Sequence, residues 1–233
     1  MIHVCTKRDG RWRDLPGNTI IATHYPKPEG LGRERWAQNI SYMWYVDANE
    51  MVRAIVGGLT SPDGPRYVMI DELKAETADM ISHAAYILRT EHPELAGRWG
   101  VYLVNGSNVS YGRGMMGWAV DQCLIANAII CPEFYLQASK HQTDRKIKKA
   151  MMGSLLHKRA SWLIKRRKHL RSVSRVVALM GVTPKYLDEP TPELFATRQS
   201  RIWQETTGAT MGAWKWDLGT EASPKWNMWK GRQ

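Results

Sequence analysis

The chain has 233 residues, enough to bury one sizeable core, and its 43% apolar content with 11 Trp excludes intrinsic disorder. No run of about 18 apolar residues occurs, and the N-terminal stretch Met1–Arg8 has no apolar stretch long enough for a signal peptide, so a cytoplasmic protein with no membrane span is expected. The net charge of +11 is local: residues 140–175 hold 13 Lys/Arg against the single acid Asp144, while the remainder holds 20 basic and 21 acidic residues. That near-neutral remainder argues against a dedicated nucleic-acid-binding protein.

Short β-branched or apolar runs recur along the chain, most of them separated by helical patterns. Strands are expected at 2–6, 19–25 and 40–46 (ISYMWYV). A helix over 48–59 follows, with Met51, Ile55 and Leu59 on one face. The clearest strand is 67–72 (YVMIDE), launched by the turn Ser61-Pro62-Asp63-Gly64-Pro65. Thr77 can cap a helix running to Glu91, with Met80, Ala84, Ile87 and Leu88 on one face. Further strands are expected at 100–104, 128–131, 176–180 and 208–216. Helices are expected at 115–127, 143–169 (broken near Gly153) and 192–205.

Strands alternating with helices imply parallel pairing with right-handed crossovers. Eight of them predict one α/β domain over 1–233, a (β/α)₈ TIM-like barrel, irregular because residues 8–18 are too short and too Gly/Pro-rich for a crossover helix. The alternative is an open doubly wound parallel sheet, although no GxGxxG or GxxxxGK[ST] follows any strand. The basic segment 140–175 and a Trp-rich tail, 214–233, complete the chain.

In a parallel barrel, chemistry sits at the C-terminal strand ends. Read in order, these ends supply His24 with Tyr25, Asp47, Asp71 with Glu72, Asn105, Glu133 with Tyr135, and Trp214, Trp216 and Asp217. Carboxylates, amides and aromatics dominate. No GxSxG elbow, clustered His set or metal-ligand spacing is present, so neither a metal nor a cofactor is expected. Cys5, Cys123 and Cys131 are an odd number without CxxC and read as buried free thiols of a reducing compartment.

Paired carboxyls suit glycosidic cleavage, in which one donates a proton to the leaving oxygen and the other attacks or activates water. Asp71, Glu72 and Glu133 are the candidates. His24, Tyr25, Asn105, Tyr135, Trp214, Trp216 and Asp217 are the candidate substrate contacts, since sugar C–H faces stack on aromatic rings.

The strand YVMIDEL, the ends NG and CPEFY, and the terminal GAWKWD resemble the strand ends of TIM-barrel glycoside hydrolases. Where such enzymes use an adjacent Asp-Glu pair, the resemblance implies Glu72 as acid and Asp71 as the residue orienting a substrate acetamido group. Where the carboxylates lie on separate strands, it implies that Glu72 and Glu133 divide the roles.

The basic segment alternates cations with Ile147, Met151, Leu155, Trp162 and Leu163, so one face can pack while the other stays charged. Lys165, Arg166, Arg167 and Lys168 are the candidate contacts to an anionic polymer, for example an acidic cell-wall glycan steered to the enzyme. The competing readings are a binding or scaffold protein that uses this helix to hold nucleic acid, an acidic glycan or a protein, and a barrel that keeps carbohydrate binding without catalysis.

Overall fold

The computed structural model describes residues 2–5, 19–24, 26–103, 114–134, 136, 140, 143–153, 163, 165–181, 192–207 and 211–215. Eight strands are present: β1 Ile2–Cys5, β2 Ile20–Thr23, β3 Trp36–Ser41, β4 Tyr67–Leu73, β5 Trp99–Leu103, β6 Ile129–Phe134, β7 Ala178–Gly181 and β8 Met211–Lys215. Each pairs in parallel with the next, and β8 returns to β1, so the ring closes. The open doubly wound sheet is thereby overturned, because a closed ring has no edge strand.

Among the described residues five longer helices accompany the strands: α1 Ala48–Thr60, α2 Ala78–Glu91, α3 Gly114–Ile125, α4 Asp144–Gly153 and α5 Pro192–Thr207. They do not make eight strand–helix units among the described residues. Among the described residues the β2–β3 connection carries only a 3₁₀ turn at Arg33–Arg35, and residues 6–18 lie outside them. The expected helix over 143–169 divides: α4 stops at Gly153 and helical backbone is again described at 165–169. Among the described residues no helix is long and apolar enough to cross a membrane.

Local chemistry explains the clearest elements. Asp47, expected at a strand end, instead caps α1, its Oδ1 accepting the Glu50 N–H at 2.8 Å. The 3.6-residue period of α1 buries Met51, Ile55 and Leu59, and α2 buries Ile81, Ala84, Ala85 and Leu88. These faces join the outward side chains of the sheet, Val68, Ile70, Leu73, Val101, Leu103 and Ile130, in one core between sheet and helices.

A second core fills the barrel. Alternate residues of the same strands meet inside it: Ala22, Ala37, Tyr67, Met69, Tyr102, Ile129, Cys131 and Leu179. Small residues make room for large ones. A Cβ on Gly100 would stand 2.3 Å from the Ile129 carbonyl oxygen and 2.8 Å from the Met69 methyl. At the N-terminal end Tyr67 is buried, with the Arg66 and Arg175 guanidinium groups 5.1 and 5.2 Å from its ring.

β3 and β6 depart from their expected bounds in ways that bear on the site. β3 begins at Trp36 and ends at Ser41, whereas ISYMWYV reads as a strand over 40–46. Its ladder to β4 runs from Ala37–Tyr67 to Ser41–Asp71. Beyond it, Ser41 Oγ accepts the Met43 N–H at 3.3 Å and turns Tyr42–Trp44 into a 3₁₀ turn. β6 runs on to Phe134, so Pro132 and Glu133 lie in the strand rather than after it.

Candidate active site at the C-terminal strand ends

Inward parity carries chemistry up the barrel. The residues after Ala22, Ala37, Met69 and Cys131 in the inward alternation are His24, Asn39, Asp71 and Glu133, and Tyr102 stands between β4 and β6 on β5. His24 Nε2 lies 3.3 Å from Asp71 Oδ2. Tyr102 is fully enclosed and its hydroxyl donates to Asn39 Oδ1 at 3.1 Å. Asn39 Nδ2 is buried with no hydrogen-bond partner among the described residues.

Burial pushes the Tyr102 phenol well above its ordinary range, and the Cys131 thiol and the carboxyls of Asp71 and Glu133 push it in the same direction. Glu133 is itself buried, at 8% exposure.

Glu72 does not join this group. Between β4 and β5 the register moves from Ile70–Val101 to Leu73–Leu103, so three steps on β4 oppose two on β5. Glu72 is the extra residue, with φ of 58°. Thr77 Oγ1 donates to the Glu72 carbonyl at 2.9 Å and accepts the Lys74 N–H at 2.9 Å, which holds the bulge. Thr77, expected as a helix cap, makes no side-chain cap to α2 and closes this bulge instead.

The Glu72 carboxylate is half exposed and pairs with Lys74 Nζ at 3.0 Å. Lys74 also lies 5.1 Å from the Tyr42 ring centroid, and hydrogen bonding to Glu72, then to Tyr42, raises its ammonium pKa. The bulge takes Glu72, the expected principal acid, out of the inward alternation and into an ion pair with Lys74.

The other candidates divide by position. Tyr25, Asn105, Tyr135, Trp216 and Asp217 lie outside the described residues, and Trp214 is placed only by its backbone in β8, opposite Val4 and Gly181. Of the four cations in the basic segment, Arg166 makes a two-pronged contact to Asp121 on α3, at 2.8 and 2.6 Å, and Arg167 donates to the Ser174 carbonyl. These two fasten the crossover to β7. Lys165 and Lys168 are exposed. Among the described residues no three His, Cys, Asp or Glu side chains converge as a metal-ligand set.

Asn39, Tyr102 and Trp44 are not evident as site residues in the sequence. Asn39 is hidden by the misplaced start of β3, and Tyr102 by its place inside an apolar run. Trp44, which the alternation reads as a strand residue, stands at the mouth with its ring edge-to-face against His24, centroids 6.3 Å apart.

No protein-family model and no curated protein sequence matches this chain. Among solved structures it is similar to a citrate lyase of Burkholderia xenovorans LB400, at 14% identity and a TM-score of 0.49. That alignment covers 93% of this chain and 72% of the other.

Proposed function

We propose that this protein is a glycoside hydrolase built on an irregular (β/α)₈ barrel, with Asp71 and Glu133 as its carboxyl pair. The observation that carries this reading is that inward parity places Asp71 on β4 and buried Glu133 on β6, on either side of the enclosed Tyr102 of β5. Strands two apart stand about 10 Å apart along the wall, and inward side chains narrow that gap toward the roughly 5–9.5 Å used in glycosidic cleavage.

One carboxyl donates a proton to the leaving oxygen while the other attacks the anomeric carbon or activates water on its far side. His24 holds Asp71 in orientation. Asn39 Nδ2 offers a donor to a substrate hydroxyl or carbonyl oxygen, and the aromatic rim supports sugar C–H faces.

The test is hydrolysis of a panel of neutral and acidic polysaccharides, read as new reducing ends, with the purified chain and three variants. Asp71→Asn and Glu133→Gln should each lower turnover by about 10²-fold or more while the folded signal persists. Glu72→Gln should stay near the wild-type rate. No hydrolysis of any glycan, or a loss in Glu72→Gln equal to the other two, overturns the proposal.

A further inference from the structure

The N-terminal end of the barrel, opposite the candidate site, gathers arginines. Arg35, Arg66 and Arg98 immediately precede the first residues of β3, β4 and β5, and Arg175 precedes Val176, which bridges to Ile130 on β6. Main-chain carbonyls hold the guanidinium groups in place. Arg33 donates to the Pro62 and Leu59 carbonyls, Arg66 to Glu34, Arg98 to Leu59 and Arg175 to Gly97. A carbonyl takes up a donor or two of a guanidinium's five and cancels none of its charge. Among the described residues these four arginines make no ion pair.

The same contacts set their spacing. Arg33 and Arg98 reach one Leu59 oxygen at 3.2 and 2.8 Å, so those two nitrogens stand within about 6 Å of each other. The Arg66 and Arg175 guanidinium carbons lie 5.1 and 5.2 Å from the Tyr67 ring centroid, hence within about 10 Å of each other. Glu34, Asp63 and Glu94 are also exposed at this end, yet none pairs with these arginines, and Glu94 faces His92 instead. The near-neutral balance of the chain outside 140–175 conceals this face, because Asp47, Asp71, Glu72 and Glu133 lie at the other end.

The surroundings narrow the kind of ligand. Tyr67 is buried in the interior core and closes the barrel here, so a ligand lies across the face rather than entering it. Trp36, Tyr67 and Trp99 at the strand starts are all buried, which leaves no ring on which unpaired bases could stack. Among the described residues Val173 is the large apolar side chain exposed in the connections at this end, too little for the apolar core of a protein interface. Charge and hydrogen bonds remain, and guanidinium groups match phosphate oxygens in both.

We propose that the N-terminal face of the barrel binds the phosphate backbone of a nucleic-acid duplex without regard to sequence. Exposed Arg66 and Arg175 are its leading contacts, with Arg33 and Arg98 beside them. The face is remote from Asp71 and Glu133 and does not rest on the hydrolase reading.

The experiment follows the anisotropy of short labelled DNA and RNA duplexes, their single strands and polyglutamate, across a salt series, with the full chain. Neutralising two to four phosphates gives the wild type a slope of about −2 to −4 in log affinity against log salt. Arg66→Gln/Arg175→Gln should make it shallower by about 2, and Arg66→Lys/Arg175→Lys, which keeps both charges, should restore most of it. Lys165→Gln/Lys168→Gln, an equal loss of charge on the basic segment, should keep most of the wild-type affinity. Tighter binding of DNA or of RNA identifies the source, since both carry the proposed chemistry. Wild-type protein that binds neither duplex overturns the proposal without recourse to any variant. An unchanged slope in Arg66→Gln/Arg175→Gln overturns it too, as does an equal loss in Lys165→Gln/Lys168→Gln. Single strands or polyglutamate bound as tightly as duplex would also refute it, polyglutamate by assigning the face to an acidic protein.

Discussion

Replacing Gly100 by Ala tests the inward packing on which the candidate site depends. The new Cβ would stand 2.3 Å from the Ile129 carbonyl oxygen, 2.7 Å from the Ile129 Cβ and 2.8 Å from the Met69 Cε. Ordinary carbon–oxygen contacts across strands are about 3.3 Å or more, so the oxygen is about 1 Å too close. Met69 can swing its terminal methyl aside. The carbonyl cannot move independently, because Gly100 pairs with Ile129 in the β5–β6 ladder.

Relief therefore parts two central strands, at the upper end of overpacking costs, about 3 kcal/mol. For a chain of this size that corresponds to a fall in melting temperature of about 6–12 °C. Gly57→Ala is the control. Gly57 lies in α1, and a Cβ added there would meet nothing within 4 Å, so the substitution should stabilise by about 0.5–1 kcal/mol through helix propensity. Thermal and urea unfolding of both variants provide the readout. A Gly100→Ala protein as stable as wild type would refute the inward placement of Gly100 and Tyr102, and with it the convergence of Asp71 and Glu133.

Three further outcomes follow from the same geometry. Tyr102→Phe leaves buried Asn39 with neither amide atom partnered and should cost about 1–3 kcal/mol in urea unfolding; a neutral result would remove the Tyr102–Asn39 bond from the account. Asp144 is held below the usual carboxylate range, chiefly by its hydrogen bond from Arg198 and also by Arg201. Its contribution is therefore present at neutral pH and lost as pH falls through the depressed folded value. The melting-temperature gap between wild type and Asp144→Asn should be open at pH 7 and close below about pH 4, and a gap that widens on acidification would contradict the linkage. Burial pushes the Cys123 thiol up to about 12 and raises Cys131 as well. In a Cys5→Ser background a thiol reagent at pH 8 should label neither until the chain unfolds, then both; labelling of the folded protein would show that they are accessible.

Patterns local to one element were legible in the sequence. The 3.6-residue period of 48–60, the apolar runs of β4, β5 and β6, and their alternation with helices led to a parallel α/β sheet, because period and burial are properties a segment carries with it. The confinement of positive charge to 140–175 was readable in the same way. Asp71 and Glu133 could be chosen as strand-end acids for that reason, and Glu72 could not be separated from them.

What separated them was tertiary. Side-chain parity along β4 holds only as far as Asp71, the last residue paired with β3. The bulge that follows depends on the pairing of Leu73 with Leu103 and on a hydroxyl from Thr77, five residues on. Asn39 became a site residue only when pairing with β4 set the start of β3, and Trp44 a surface residue only when Ser41 ended that strand. Half of the basic run likewise took on a structural task once Asp121 and the Ser174 carbonyl came within reach of Arg166 and Arg167. A strand's period assigns its residues to two faces. Only its neighbours decide which face is inside, and where the count slips by one.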